Sequence, residues 1–81
     1  MEITYLKTTG LANKINTAIK ITPKGVLYVT SIEISIDELT DSMDGEVAWY
    51  KKEFNTEHCT KEEFDNFYID TVKNINELSK L

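Results

Sequence analysis

The sequence predicts an α+β fold: an antiparallel sheet of about four strands with one C-terminal amphipathic helix packed on one face. Two observations carry this expectation. A Thr22-Pro23-Lys24-Gly25 turn is flanked on both sides by apolar residues at every second position, and residues 60–80 open on a capping box and run on as an apolar stripe at helical spacing. With 81 residues there is no room for two independent cores, so residues 1–81 are expected to form one domain.

Residues 2–7 read as a short first strand. In the second, Ile15, Thr17, Ile19 and Ile21 alternate with Asn16, Ala18, Lys20 and Thr22. Leu11, Ile15, Ala18 and Ile19 also fit an amphipathic helix over residues 11–20, but turn chemistry and alternation agree on the strand. Pro23 suits the first central position of a type I turn, and Gly25 the left-handed position that follows. Past the turn, Val26, Tyr28, Thr30, Ile32, Ile34 and Ile36 alternate with Leu27, Val29, Ser31, Glu33 and Ser35, which predicts one long strand. Residues 37–43 fit an acidic loop or one or two helical turns, with Ser35 and Glu38 at capping-box spacing. Asp44-Gly45 then introduces a fourth strand over residues 46–54. In the C-terminal helix Thr60 and Glu63 form the capping box, and Glu62, Glu63 and Asp65 complement the helix dipole. Phe64, Phe67, Tyr68, Val72, Ile75 and Leu78 fall on one stripe about 140° wide at 100° per residue.

Charge is segregated along the chain. Residues 1–24 carry +3, from four lysines against Glu2; residues 25–50 carry −6; residues 51–81 carry −2, from five lysines against seven acids. Between Lys24 and Lys51 stand Glu33, Asp37, Glu38, Asp41, Asp44 and Glu46 with no cation among them. A one-signed field of this kind attracts basic protein surfaces and repels nucleic acid. The chain also lacks arginine, the residue best suited to bidentate phosphate and guanine contacts, so direct nucleic-acid binding is not expected. On the helix, Glu63, Asp70 and Glu77 recur every seven residues, about 10 Å apart, too sparse to imitate a phosphate strand alone. They are dense enough only if residues 33–46 join them on one side.

No residue set declares a chemistry. His58 and Cys59 are sequence neighbours whose side chains diverge in extended chain, with no oxyanion-type motif around them, so no enzyme is expected. One Cys and one His do not make a zinc spacing. Asp37, Asp41, Asp44 and Glu46 fall at relative positions 1, 5, 8 and 10, which is not the calcium-loop pattern. Gly10, Gly25 and Gly45 are isolated and cradle no phosphate. Neither metal nor cofactor is expected. The lone Cys59 cannot close an internal disulfide, and neither a signal-like start nor an apolar run of membrane length is present, which predicts a cytoplasmic protein with no membrane contact.

A single helix covers one sheet face. Leu27 and Val29, with Trp49 or Tyr50, are therefore expected on an uncovered apolar face suited to a homodimer or partner. The leading expectation is a non-enzymatic protein-binding module whose partner offers a basic surface, contacted by Glu33, Asp37, Glu38, Asp41, Asp44, Glu46, Glu63, Asp70 and Glu77. Its sharper form is an inhibitor carried by a phage or mobile element that blocks a nucleic-acid-binding host defence protein of the CRISPR type. The alternatives are a small homo-oligomeric assembly protein using Leu27, Val29 and Trp49, or a protein that sequesters a small ligand.

Overall fold

The computed structural model describes residues 3–81; Glu2, placed in the first strand from sequence, lies outside them. Strands β1 (Thr4–Thr9), β2 (Ile15–Thr22), β3 (Gly25–Thr30) and β4 (Ile34–Asp37) form an antiparallel meander, followed by helix α1 (Met43–Phe54), a short strand β5 (Glu57–His58) and helix α2 (Lys61–Ser79). The sheet order is β4-β3-β2-β1-β5, so the last strand returns to the free edge of β1. The fold class is α+β as expected, with five strands where about four were anticipated and a second helix.

Three corrections follow from local geometry. Residues 46–54 are helix, not strand. Ser42 caps α1 by accepting the Gly45 N–H, Asp44 and Glu46 occupy its first turn, and Lys51 and Lys52 its last. Asp44-Gly45 therefore lies inside the helix, and Met43, Val47 and Tyr50, at helical spacing, pack on the sheet.

The long strand expected after Gly25 is folded at Ser31-Ile32 into a hairpin, with Thr30 N–H donating to the Glu33 carbonyl at 2.9 Å. Val29 then pairs with Ile34 and Leu27 with Ile36. Odd positions of one arm thus share a face with even positions of the other, which reverses the facing that uniform alternation assigned to Ile34 and Ile36. In β2 a bulge falls at Asn16, because Thr8 pairs with Thr17 while Thr9 pairs with Ile15. Ile15 consequently leaves the face of Ile19 and Ile21.

Each sheet face has its own helix. Leu6, Ile19, Ile21 and Val26 are buried with Tyr50 beneath α1. Ala18 and Val29 are buried with Phe64 beneath α2, with Leu27, Ile34 and Tyr5 around them. The face expected to be bare is thus the face α2 covers, and α1 covers the other.

The capping box of Thr60 and Glu63 forms in both directions. Thr71, in the middle of the apolar stripe, is fully buried and donates its hydroxyl to the Thr30 carbonyl at 2.6 Å; Asn74 donates to the Ser31 carbonyl at 2.9 Å. After Asn74 the stripe is less covered, with Ile75 half-buried and Leu78 exposed. Gly25 has φ +149°, and a Cβ there would stand 2.7 Å from the Asp37 carbonyl oxygen. Only glycine lets the start of β3 lie this close to the end of β4.

These contacts rank the helix substitutions. Thr60→Ala is expected to cost about 0.5–2 kcal/mol by loss of the cap. Phe64→Ala is expected to cost about 3–5 kcal/mol, because the emptied site lies between α2 and the sheet. Ile75→Ala should cost less than Phe64→Ala. Chemical denaturation of the three variants checks the order, and equal midpoints for Phe64→Ala and wild type would contradict the packing of α2.

Candidate functional site

The end of β4, the loop that follows it and the first two turns of α1 enclose a cleft of about 630 Å³. Asp37, Glu38, Asp41 and Glu46 line it together with Ile36, Thr40, Trp49 and Tyr50. The loop is held in shape by its own polar groups. Thr40 donates both its backbone N–H and its hydroxyl to Glu46 Oε1, each at 2.9 Å. Ser42 N–H donates to Asp41 Oδ1 at 2.7 Å, while the Ser42 hydroxyl accepts from Gly45 N–H at 3.1 Å. The capping residue of α1 thus also fixes one acid of the cleft.

Burial divides the lining into a floor and a rim. Glu46 is only 7 % exposed and Tyr50 only 6 %, whereas Asp37, Glu38 and Asp41 are open to solvent. Two large apolar side chains stand at the rim, Trp49 at 50 % exposure and Ile36 at 81 %. Trp49 meets Tyr50 edge to face at 4.9 Å between centroids, and Phe54 stacks on Tyr50 at 5.4 Å and meets Trp49 at 5.5 Å, so both cleft aromatics belong to one aromatic cluster. Among the described residues no lysine lines the cleft. Burial raises the Tyr50 phenol above its ordinary range, and the negative charges of Asp37 and Glu46 raise it further. The phenol proton is therefore retained, and the cleft offers carboxylate oxygens, one hydroxyl and aromatic surface to a positively charged group.

The other acids singled out from sequence do not join this group. Asp44 is exposed in the first turn of α1, Glu33 sits in the β3–β4 hairpin turn, and Glu77 is exposed near the end of α2. Glu63 and Asp70 border a second cleft, of about 540 Å³, beside Lys14, Ser31 and Phe67 on the α2 side of the sheet. Glu63 is bonded to the Lys7 ammonium at 2.7 Å and to the Thr60 N–H at 3.0 Å, which lower its pKa, the Lys7 bond most. The condition that residues 33–46 and the helix acids share one side is not met. The α2 acids and the α1 cleft lie on opposite faces.

Leu27 and Val29, expected on an exposed contact face with Trp49, are separated from it. Val29 is fully buried and Leu27 half-buried under α2, while Trp49 stands on the other side at the cleft. The Tyr50 floor and the Thr40–Glu46 bonds had no signal in the period-2 reading of residues 46–54. A helical reading from Ser42 puts Glu46, Trp49 and Tyr50 on adjoining positions three and four apart.

His58 pairs with Leu6 and is exposed, while the Cys59 N–H bonds the Tyr5 carbonyl and its side chain packs with the α2-side cluster. The two side chains therefore diverge. Among the described residues no three acidic, His or Cys side chains converge to hold a metal ion, and no helix is long and apolar enough to cross a membrane. No protein-family model, curated protein or solved structure matches the chain.

Burial, with the nearby Glu63 carboxylate, pushes the Cys59 thiol from 9.0 up to about 11. At pH 8 the folded protein should therefore react with iodoacetamide roughly a hundredfold more slowly than the unfolded chain, since thiolate is the nucleophile. The sign for stability follows: the folded state favours the neutral thiol, so this contribution is complete below pH 9 and is lost as pH rises toward 11. Alkylation followed by mass spectrometry checks the rate, and equal rates for folded and unfolded chain would contradict the packing of Cys59.

Proposed function

We propose that this chain is a non-enzymatic protein-binding module whose cleft between β4 and α1 docks on a basic surface of a partner protein. One observation carries the reading: Asp37, Glu38, Asp41 and Glu46 are gathered around two exposed apolar side chains, Ile36 and Trp49, and among the described residues no lysine lines the cleft. Acids around an aromatic anchor supply both parts of a protein interface, since the charges steer encounter and fix register while the desolvated ring holds the complex. The sharper form is an inhibitor of a nucleic-acid-binding host defence protein, acting from a phage or mobile element. A basic channel built for phosphates is the surface such an acidic rim would fill.

Charge reversal at Asp37, Glu38, Asp41 and Asp44 tests the reading. Wild-type protein used as bait in a lysate of the cell it acts in should retain a basic protein that added salt releases, and the folded charge-reversed protein should not retain it. With the purified pair, reversal should slow association by roughly tenfold or more, and high salt should mimic it. Cys59→Ser and His58→Ala should leave binding unchanged. Retention of the same protein by the charge-reversed variant, with unaltered salt dependence, would reduce the acidic rim to a solubility feature.

A further inference from the structure

The floor of the cleft is built unlike its rim. Glu46 is more than nine-tenths buried; its Oε1 receives both Thr40 donors, and among the described residues it has no cationic partner. Tyr50 is buried to a similar degree, and its hydroxyl takes part in no hydrogen bond with the described residues. Tyr50 lines the cleft together with Asp37 and Glu46. A carboxylate this deeply buried without a counter-charge is costly unless a cation completes it, and the Tyr50 hydroxyl, which is not sealed from solvent, is free to add a hydrogen bond.

The geometry points to the guanidinium of an arginine side chain, presented by the partner protein, as the group that fills this cleft. The assignment rests on the protein-binding reading above and names what that partner inserts. Three features select arginine. Among the described residues, no three of the carboxylates lining the cleft, Asp37, Glu38, Asp41 and Glu46, come together as a metal site. That suits a planar fork of five donors better than a compact ammonium or a metal ion. The ring of Trp49 is half exposed beside them, and a guanidinium stacks on such a face while its edge bonds carboxylates. The guanidinium is also more weakly hydrated than an ammonium, so it surrenders less on entering a half-closed cleft. The chain contains no arginine of its own, so a second copy cannot supply the group.

NMR titration of the labelled protein with three blocked tripeptides, Gly-Arg-Gly and its lysine and citrulline counterparts, tests the assignment. The arginine peptide should shift the Trp49 indole and Thr40 amide signals saturably, the lysine peptide should bind more weakly, and the neutral citrulline peptide should not saturate. Trp49→Ala should weaken arginine-peptide binding by roughly two- to thirtyfold, read at the Thr40 amide, and Asp70→Asn on the other face should leave it unchanged. No saturable shift, equal response to citrulline, lysine binding as tightly as arginine, or a response to calcium chloride alone would each overturn the assignment. Partner capture that charge reversal abolishes, with no response to the arginine peptide, overturns the arginine assignment and leaves the docking reading standing. Capture that charge reversal does not touch overturns the docking reading itself.

Discussion

Strand β2 is bonded on both edges and buried on both faces, and the remaining elements answer to that. Its edges are occupied by β1 and β3, while Ala18 on one side and Ile19 and Ile21 on the other are all excluded from water. A strand with two apolar faces needs a cover on each, because a bare face would expose a large apolar patch. Chain order supplies the covers in turn. The meander ends at β4, α1 closes the Ile19 side, and β5 carries the chain to the far edge so that α2 can cross the Ala18 side. The Cys59–Tyr5 backbone bond and the Lys7–Glu63 ion pair fasten the start of α2 to β1 at that edge.

What was legible in the sequence is what depends on neighbours along the chain. The Thr22–Gly25 hairpin and the α2 capping box are local chemistry, and both form where their residues place them. What was not legible depends on contacts between distant segments. Val47, Trp49 and Tyr50 carry high strand propensity, and packing of Met43, Val47 and Tyr50 on the sheet, together with the Ser42 cap, selects helix for them. The Ser31-Ile32 turn contains neither glycine nor asparagine, so nothing marks the reversal that moves Ile34 to the other face. Thr71 is polar and adds nothing to an apolar pattern, although it lies at the centre of the stripe and its hydroxyl is satisfied by Thr30 across the helix–sheet boundary.

The cleft was half legible for the same reason. Its acids were visible as a run without cations, but their gathering depends on Thr40 reaching Glu46 and on Ser42 capping α1. The same bonds explain why the α2 acids stand apart. Glu63 is engaged by the Lys7 ammonium and by its own helix cap, whereas Glu46 and Asp41 accept only uncharged donors from Thr40 and Ser42 and, among the described residues, no cleft acid forms an ion pair.

The separation of floor from rim bears on how such a surface changes over generations. Thr40 and Glu46 are locked into the loop at the helix start and Tyr50 into the core, so replacing any of them disturbs the fold as well as the cleft. Asp37 and Glu38 are exposed at the mouth, where substitutions generally cost within about 0.5 kcal/mol. Variation can therefore accumulate at the mouth while the interior stays constant. The pattern of charge at the mouth can shift one carboxylate at a time without passing through an unfolded intermediate sequence.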